Sequence, residues 1–120
     1  MKIFEVTDPI HSQLPDFVKF ACDELQINEH PRIDVVDQVP GASGTTFGRY
    51  EPETKTIYLV ARGRHTKDVF RTLAHELVHY KQDIQDRLHP EAGATGSTEE
   101  NEANATAGVV MRNYSEQNPD

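Results

Sequence analysis

The sequence predicts an α+β fold in one domain. A length of 120 residues suits a single hydrophobic core. The first half carries three short runs rich in β-branched residues, separated by turn-forming residues, and the second half carries two long segments with helical periodicity. We therefore expect a small antiparallel sheet packed on an N-terminal helix and two later helices. This domain covers residues 1–114, and residues 115–120 form a polar tail.

The first half divides at its prolines and glycines. Pro15 suits the first turn of a helix that ends near residue 26. Residues 33–39, 45–50 and 56–61 read as strands, and the short connections between them favour an antiparallel meander.

The second half predicts two helices. The first covers residues 67–87, with His65 or Thr66 as its N-cap. Thr98 caps the second, which ends near residue 114.

Composition excludes several classes of protein. The formal charge of −8 argues against a general nucleic-acid binder and against a protein of anionic membranes. One cysteine excludes an internal disulfide and a cysteine-rich zinc site, as expected in a reducing compartment. No apolar run approaches the ~20 residues of a membrane span, and no targeting segment is visible. We therefore expect a cytoplasmic protein.

The motif that indicates chemistry is His75-Glu76-Leu77-Val78-His79. Two histidines at i and i+4 lie one turn apart on the same face of a helix, so both imidazoles can reach one ion. Imidazole is a preferred zinc ligand, and the pattern is that of zinc metalloproteases. Glu76 suits the role of general base toward a zinc-bound water.

A catalytic zinc needs a third protein ligand and an open position. The metzincin pattern is excluded because it requires Gly and His where this chain has Gln82 and Gln85. A carboxylate from the last helix is the other common solution, and residues 99–107 offer several.

The run from Glu100 to Ala107 resembles the second motif of the gluzincins, the thermolysin-like metallopeptidases, and of the small ImmA/IrrE-like and minigluzincin proteins, some of them encoded by phages. The resemblance spans roughly residues 33–113. It implies that Glu102 is the third ligand of a single Zn²⁺ and that Ala103 and Ala107 let the two helices approach closely. For a phage protein it would place the chain in the host cytoplasm.

The chain departs from that family at Thr106, where thermolysin-type enzymes carry an Asp that orients the first histidine. Asp83, Asn104 or Glu100 can substitute. Glu99 lies three residues before Glu102 and is a rival ligand, although Glu99 and Glu100 also suit a charged first helical turn.

His89 is a second rival ligand. A later third histidine would resemble the SprT-like proteases, which act around DNA. Because Pro90 follows, His89 also suits a loop at the end of the helix.

Other site residues are open at this stage. The family resemblance makes the strand before the metal helix the edge that binds an extended peptide, here Thr56, Ile57, Tyr58, Leu59 and Val60. Candidates for stabilising the charge on the attacked carbonyl are His65, Tyr80, Arg112 and Tyr114.

We therefore expect a zinc-dependent peptidase that acts on a peptide or protein substrate. Two alternatives remain: a metal-stabilised regulatory module with little or no turnover, and a SprT-like protease that uses His89. The sequence carries no information on the oligomeric state.

Overall fold

The computed structural model describes residues 9–41, 46–88 and 97–118. Its order of elements is helix, three strands and two helices, which confirms the predicted α+β class. The bounds are α1 Pro9–Leu25, β1 Arg32–Val36, β2 Gly48–Glu51, β3 Thr56–Val60, α2 Thr66–Ile84 and α3 Thr98–Gln117.

The sheet is mixed, so the prediction of an antiparallel meander is wrong for its first strand. The strand order is β1-β3-β2, with β1 parallel and β2 antiparallel to the central β3. Only β2 and β3 are joined by a tight turn, in which the Lys55 amide donates to the Pro52 carbonyl and Lys55 takes a positive φ of 53°. After β1 the chain reverses direction and forms β2 on the far side of β3. The β2–β3 turn reverses it again, so β1 and β3 run in the same direction.

The helices begin at residues other than those predicted. Helix α1 begins at Pro9 and contains Pro15, which the sequence placed in the first turn. The predicted cap of α2 is confirmed for His65, whose Nδ1 accepts from the Lys67 amide at 3.1 Å. Ser97 caps α3 instead of Thr98, because its hydroxyl accepts from the Glu100 amide at 3.0 Å.

The core joins the three helices. Phe17 of α1 stacks on Phe70 of α2 with ring centroids 4.3 Å apart, and Tyr114 of α3 meets Phe17 edge-on at 4.9 Å. Ala103 and Ala107 of α3 are buried in the same hydrophobic cluster. Among the described helices, none combines the length and apolar character needed to span a membrane.

Strand β2 lies directly against α2 at Gly48. A Cβ atom at this glycine would come 2.5 Å from Cγ2 of Thr72 and 3.4 Å from Cγ of Glu76. Real Cβ atoms do not make contacts as short as 2.5 Å, so this close approach requires glycine. The absence of a side chain at one position therefore brings the backbone of β2 next to Glu76.

We expect Gly48→Ala to destabilise the protein by about 1–3 kcal/mol, because β2 must move away from α2. Urea unfolding measures the loss. The double variant with Thr72→Ser should recover much of it, since serine lacks the obstructing methyl group. The matched control is Gly108→Ala in α3, where the nearest atom is 3.8 Å away and alanine favours the helix. Equal losses at the two glycines would contradict the close approach.

Candidate metal centre

The two histidines of the motif converge on one carboxylate of the neighbouring helix. His75 and His79 lie one turn apart on α2, with ring centroids 4.9 Å apart. Nε2 of His75 is 3.1 Å from Oε2 of Glu100, and Nε2 of His79 is 3.1 Å from Oε1. The three side chains are only 9–22% exposed. Two nitrogens and a carboxylate thus meet in a largely enclosed site.

This donor set fits a divalent cation. One ligand atom from each of His75, His79 and Glu100 lies within 4.8 Å of the others, which allows them to hold one ion. Ligand atoms about 2.1 Å from a tetrahedral zinc lie about 3.4 Å apart, close to the separations found here. Two histidines and one glutamate are also a known protein ligand set of catalytic zinc, in which the fourth position remains open.

The structure brings Glu100 to the histidines, where the family resemblance implied Glu102. Successive helical residues differ by about 100° in direction, so side chains two positions apart point to different sides of α3. The buried Ala103 and Ala107 define the face of α3 turned to the core, and Glu100 lies one turn before Ala103 on that side. The sequence signal for Glu100 was therefore its position three residues before Ala103, on the same face of the helix.

Glu102 and the rival Glu99 occupy other positions. Oε1 of Glu102 accepts from Gln82 at 2.6 Å and from Arg87 at 3.2 Å, and these contacts outweigh the effect of burial and hold its pKa below the ordinary value. The backbone carbonyl of Glu99 accepts a hydrogen bond from the side-chain amide of Gln82 at 3.1 Å. Neither carboxylate belongs to the histidine cluster found in the described residues. The rival His89 lies outside those residues.

The side-chain amides of Gln82 and Asn104 hydrogen-bond the two histidine rings. Gln82 is fully buried, and its Oε1 is 2.8 Å from Nδ1 of His79. Asn104 hydrogen-bonds His75. Measured from Glu100, Asn104 stands four residues along, which is the spacing at which the resembled family places its orienting Asp. Sequence reasoning named Asn104 for this role but missed Gln82, whose signal was its position three residues after His79 on the same helix.

Burial shapes the electrostatics of the site. Desolvation raises the pKa of Glu76 to about 7; the charge of Glu100 adds to this, whereas His79 and the Tyr50 amide oppose it. Burial also lowers the pKa of His75 despite the attraction of Glu100. A neutral imidazole is the form that binds metals, and a carboxylate with a pKa near 7 can exchange protons at neutral pH.

None of the four auxiliary candidates joins the cluster. His65 caps α2 ten residues before His75, about 15 Å along the helix. The Tyr80 hydroxyl donates to the Glu29 carbonyl at 2.7 Å. Tyr114 packs against the rings of Phe17 and its neighbours, and the exposed Arg112 lies three turns beyond Glu100. Their assignment to carbonyl stabilisation is not supported by these positions.

The predicted substrate strand is also corrected. Residues Thr56, Ile57, Tyr58, Leu59 and Val60 form the central strand, which is hydrogen-bonded on both sides and offers no free edge. The edge next to Glu76 belongs to β2. Parallel pairing of β1 with β3, which the sequence pattern did not indicate, is the cause of this exchange.

Tyr50 connects β2 to α2 through two hydrogen bonds. Its backbone amide hydrogen-bonds the carboxylate of Glu76, and its hydroxyl donates to Oδ2 of Asp83. Lys55 donates to the same oxygen at 2.7 Å. Asp83 therefore anchors the β2–β3 hairpin on α2 and does not orient a histidine.

Comparison of the chain with protein-family models, with curated proteins and with solved structures gives no match. The candidate site is therefore defined by the arrangement of His75, Glu76, His79 and Glu100 in this chain. The resemblance to gluzincins remains one of short motifs.

We expect Glu100→Ala to weaken zinc binding by at least about a hundredfold, because second-shell changes alone cost 10–100-fold and Glu100 contacts both histidines. Competition with a chromophoric chelator measures the affinity. Glu102→Ala is the matched control and should lose less. Zinc should raise the melting temperature of the wild type more than that of Glu100→Ala. A larger loss at Glu102 than at Glu100 would assign the ligand to Glu102.

We expect Asp83→Asn to destabilise the protein by about 1–2 kcal/mol at pH 7, because Lys55 loses a charged acceptor. Burial would raise the pKa of Asp83, but the hydrogen bonds from Lys55 and Tyr50 outweigh it and lower the pKa. A lowered pKa stabilises the fold above the ordinary value of about 3.9, and this contribution is lost as the pH falls through the folded value.

Urea unfolding between pH 7 and pH 3 tests this. The difference between wild type and Asp83→Asn should shrink toward pH 3. Asp86→Asn is the control, because Asp86 is exposed and lies only three residues after Asp83. A difference that stays constant over this range would show that the charge of Asp83 does not stabilise the hairpin.

Proposed function

We propose that the protein is a zinc-dependent peptidase whose site consists of His75, His79 and Glu100 as ligands and Glu76 as general base. The observation that carries this proposal is the convergence of the two Nε2 atoms and the Glu100 carboxylate beside a buried glutamate. A buried carboxylate with a raised pKa next to a two-histidine, one-carboxylate cluster is the combination that metal-assisted hydrolysis uses.

Each residue has a defined role in this proposal. His75, His79 and Glu100 would hold the ion. When bound, zinc supplies a Lewis acid that polarises a carbonyl and acidifies water. Glu76 takes the proton of the attacking water and returns it to the leaving amine, which requires a pKa near neutrality.

The outer edge of β2 supports a peptide as the substrate. The Val60 amide donates to the Phe47 carbonyl at 2.9 Å, so the pairing alternates and directs the backbone groups of Gly48 and Tyr50 away from β3. The Tyr50 amide reaches Glu76 from that edge. An extended peptide that adds to β2 as a further strand would run past the general base.

The close packing of Gly48 against α2 also supports an extended peptide as the substrate. Gly48 brings the β2 backbone into contact with Thr72 and Glu76, so the edge and the base are held at a short separation. A loop in this place would not present backbone groups at the regular spacing of a strand. The substrate class that follows is an unfolded or extended polypeptide segment.

We expect Glu76→Gln to lower peptide hydrolysis by about 10²–10⁴-fold and to leave zinc bound, because the amide cannot accept the proton. Cleavage of a library of extended peptides, followed by mass spectrometry, measures the activity. His75→Ala is the comparison variant, since it should lose both zinc and activity.

Two results would contradict the proposal. Undiminished hydrolysis by Glu76→Gln would remove Glu76 as the base. A wild-type protein that zinc stabilises against heat but that cleaves no peptide would instead support the metal-stabilised regulatory module.

A further inference from the structure

Gln82 is a buried polar side chain. It connects the His75–His79–Glu100 cluster to Glu102 on another face of α3. It is fully inaccessible to solvent and contacts His79, the Glu99 carbonyl and Glu102. We propose that Gln82 and Glu102 are positioning residues that fix the proton of His79 on Nδ1 and so present Nε2 to the metal. This inference rests on the proposed metal site.

The orientation of the Gln82 amide follows from its neighbours. The Glu99 carbonyl and the Glu102 carboxylate can only accept hydrogen bonds, and they lie 3.1 Å and 2.6 Å from the same atom of Gln82. That atom must therefore be the nitrogen, which has two hydrogens to donate. A flipped amide would place an oxygen against two oxygens inside the protein, an arrangement without a donor.

The state of the histidine then follows from the amide. With its nitrogen directed at α3, Gln82 turns its oxygen toward Nδ1 of His79 at 2.8 Å. An oxygen there accepts only, so Nδ1 must carry a hydrogen. In the neutral ring the lone pair is consequently on Nε2, which lies 3.1 Å from the Glu100 carboxylate. Two acceptors then face each other, an arrangement that a cation between them would satisfy. The network thus selects the tautomer that binds metal.

Glu102 receives a role that differs from the one its motif suggested. Its carboxylate accepts hydrogen bonds from the side chains of Gln82 and Arg87. The backbone amide of Arg87 in turn donates to the backbone carbonyl of Gln82 at 2.7 Å. These bonds hold the end of α2 and the first turns of α3 around the amide. Glu102 therefore acts on the metal through two intervening side chains, Gln82 and His79.

Exchange of the two groups tests the network. Gln82→Leu removes the acceptor of His79 and should weaken zinc binding 10–100-fold. Gln82→Glu faces the Glu102 carboxylate with a second carboxylate, so it should also weaken binding. Combined with Glu102→Gln, it restores a donor opposite an acceptor, and the double variant should bind zinc more tightly than Gln82→Glu alone. Glu102→Gln by itself keeps an acceptor and should lose less than Gln82→Leu.

Long-range ¹H–¹⁵N NMR of the metal-free Glu100→Ala variant, at a pH where the rings are neutral, reads the tautomer directly, because this variant lacks the carboxylate that attracts a hydrogen to Nε2 of His79. We expect His79 with its hydrogen on Nδ1, and a shift toward the Nε2–H form when Gln82→Leu is added. This measurement needs neither zinc nor activity, so it separates failure of this inference from failure of the proposed function.

The inference is overturned if His79 of metal-free Glu100→Ala carries its hydrogen on Nε2. It is also overturned if a folded Gln82→Leu binds zinc as tightly as the wild type, or if Glu102→Gln gives no recovery in the Gln82→Glu background. Thermal unfolding of each variant without zinc verifies that the affinities are compared between folded proteins.

Discussion

The packing of α3 against α2 determines the site, because it selects which face of α3 meets the histidines. Ala103 and Ala107 are buried in this contact and leave room for the helices to lie close together. Glu100 stands one turn before Ala103 and so faces His75 and His79, whereas the face that carries Glu102 is directed at Gln82 and Arg87. A rotation of α3 by one residue, about 100°, would turn Glu100 away from the two histidines.

The polar groups placed in this contact are costly to bury and are paired accordingly. Glu76, His79 and Gln82 are all buried in an otherwise apolar helix face. Within the described part of the chain, no buried side-chain nitrogen or oxygen lacks a hydrogen-bond partner. Pairing removes most of the penalty for desolvation, and what remains is visible in the raised pKa of Glu76. The site therefore holds a buried carboxyl group of raised pKa, and no buried side-chain polar atom in the described part of the chain is left unsatisfied.

Periodicity and local motifs predicted the parts of this protein that depend on neighbours along the chain. Helix α2, its His65 cap and the pairing of β2 with β3 through a tight turn are all local, and the structure has them. The parallel pairing of β1 and the choice between Glu100 and Glu102 depend on contacts between distant segments. A short motif fixes the order of residues but not the rotation of a helix about its axis, so Glu102 was a reasonable expectation that the packing did not meet.

The amide of Tyr50 is a single donor with two possible uses. In the structure it hydrogen-bonds Glu76, yet it also lies on the edge of β2 where an added strand would seek donors. For a peptidase of the proposed kind, a substrate carbonyl that pairs at this position competes with the catalytic carboxylate for one hydrogen. Loss of that bond raises the proton affinity of Glu76. Occupancy of the β2 edge and the protonation state of Glu76 would then be thermodynamically linked.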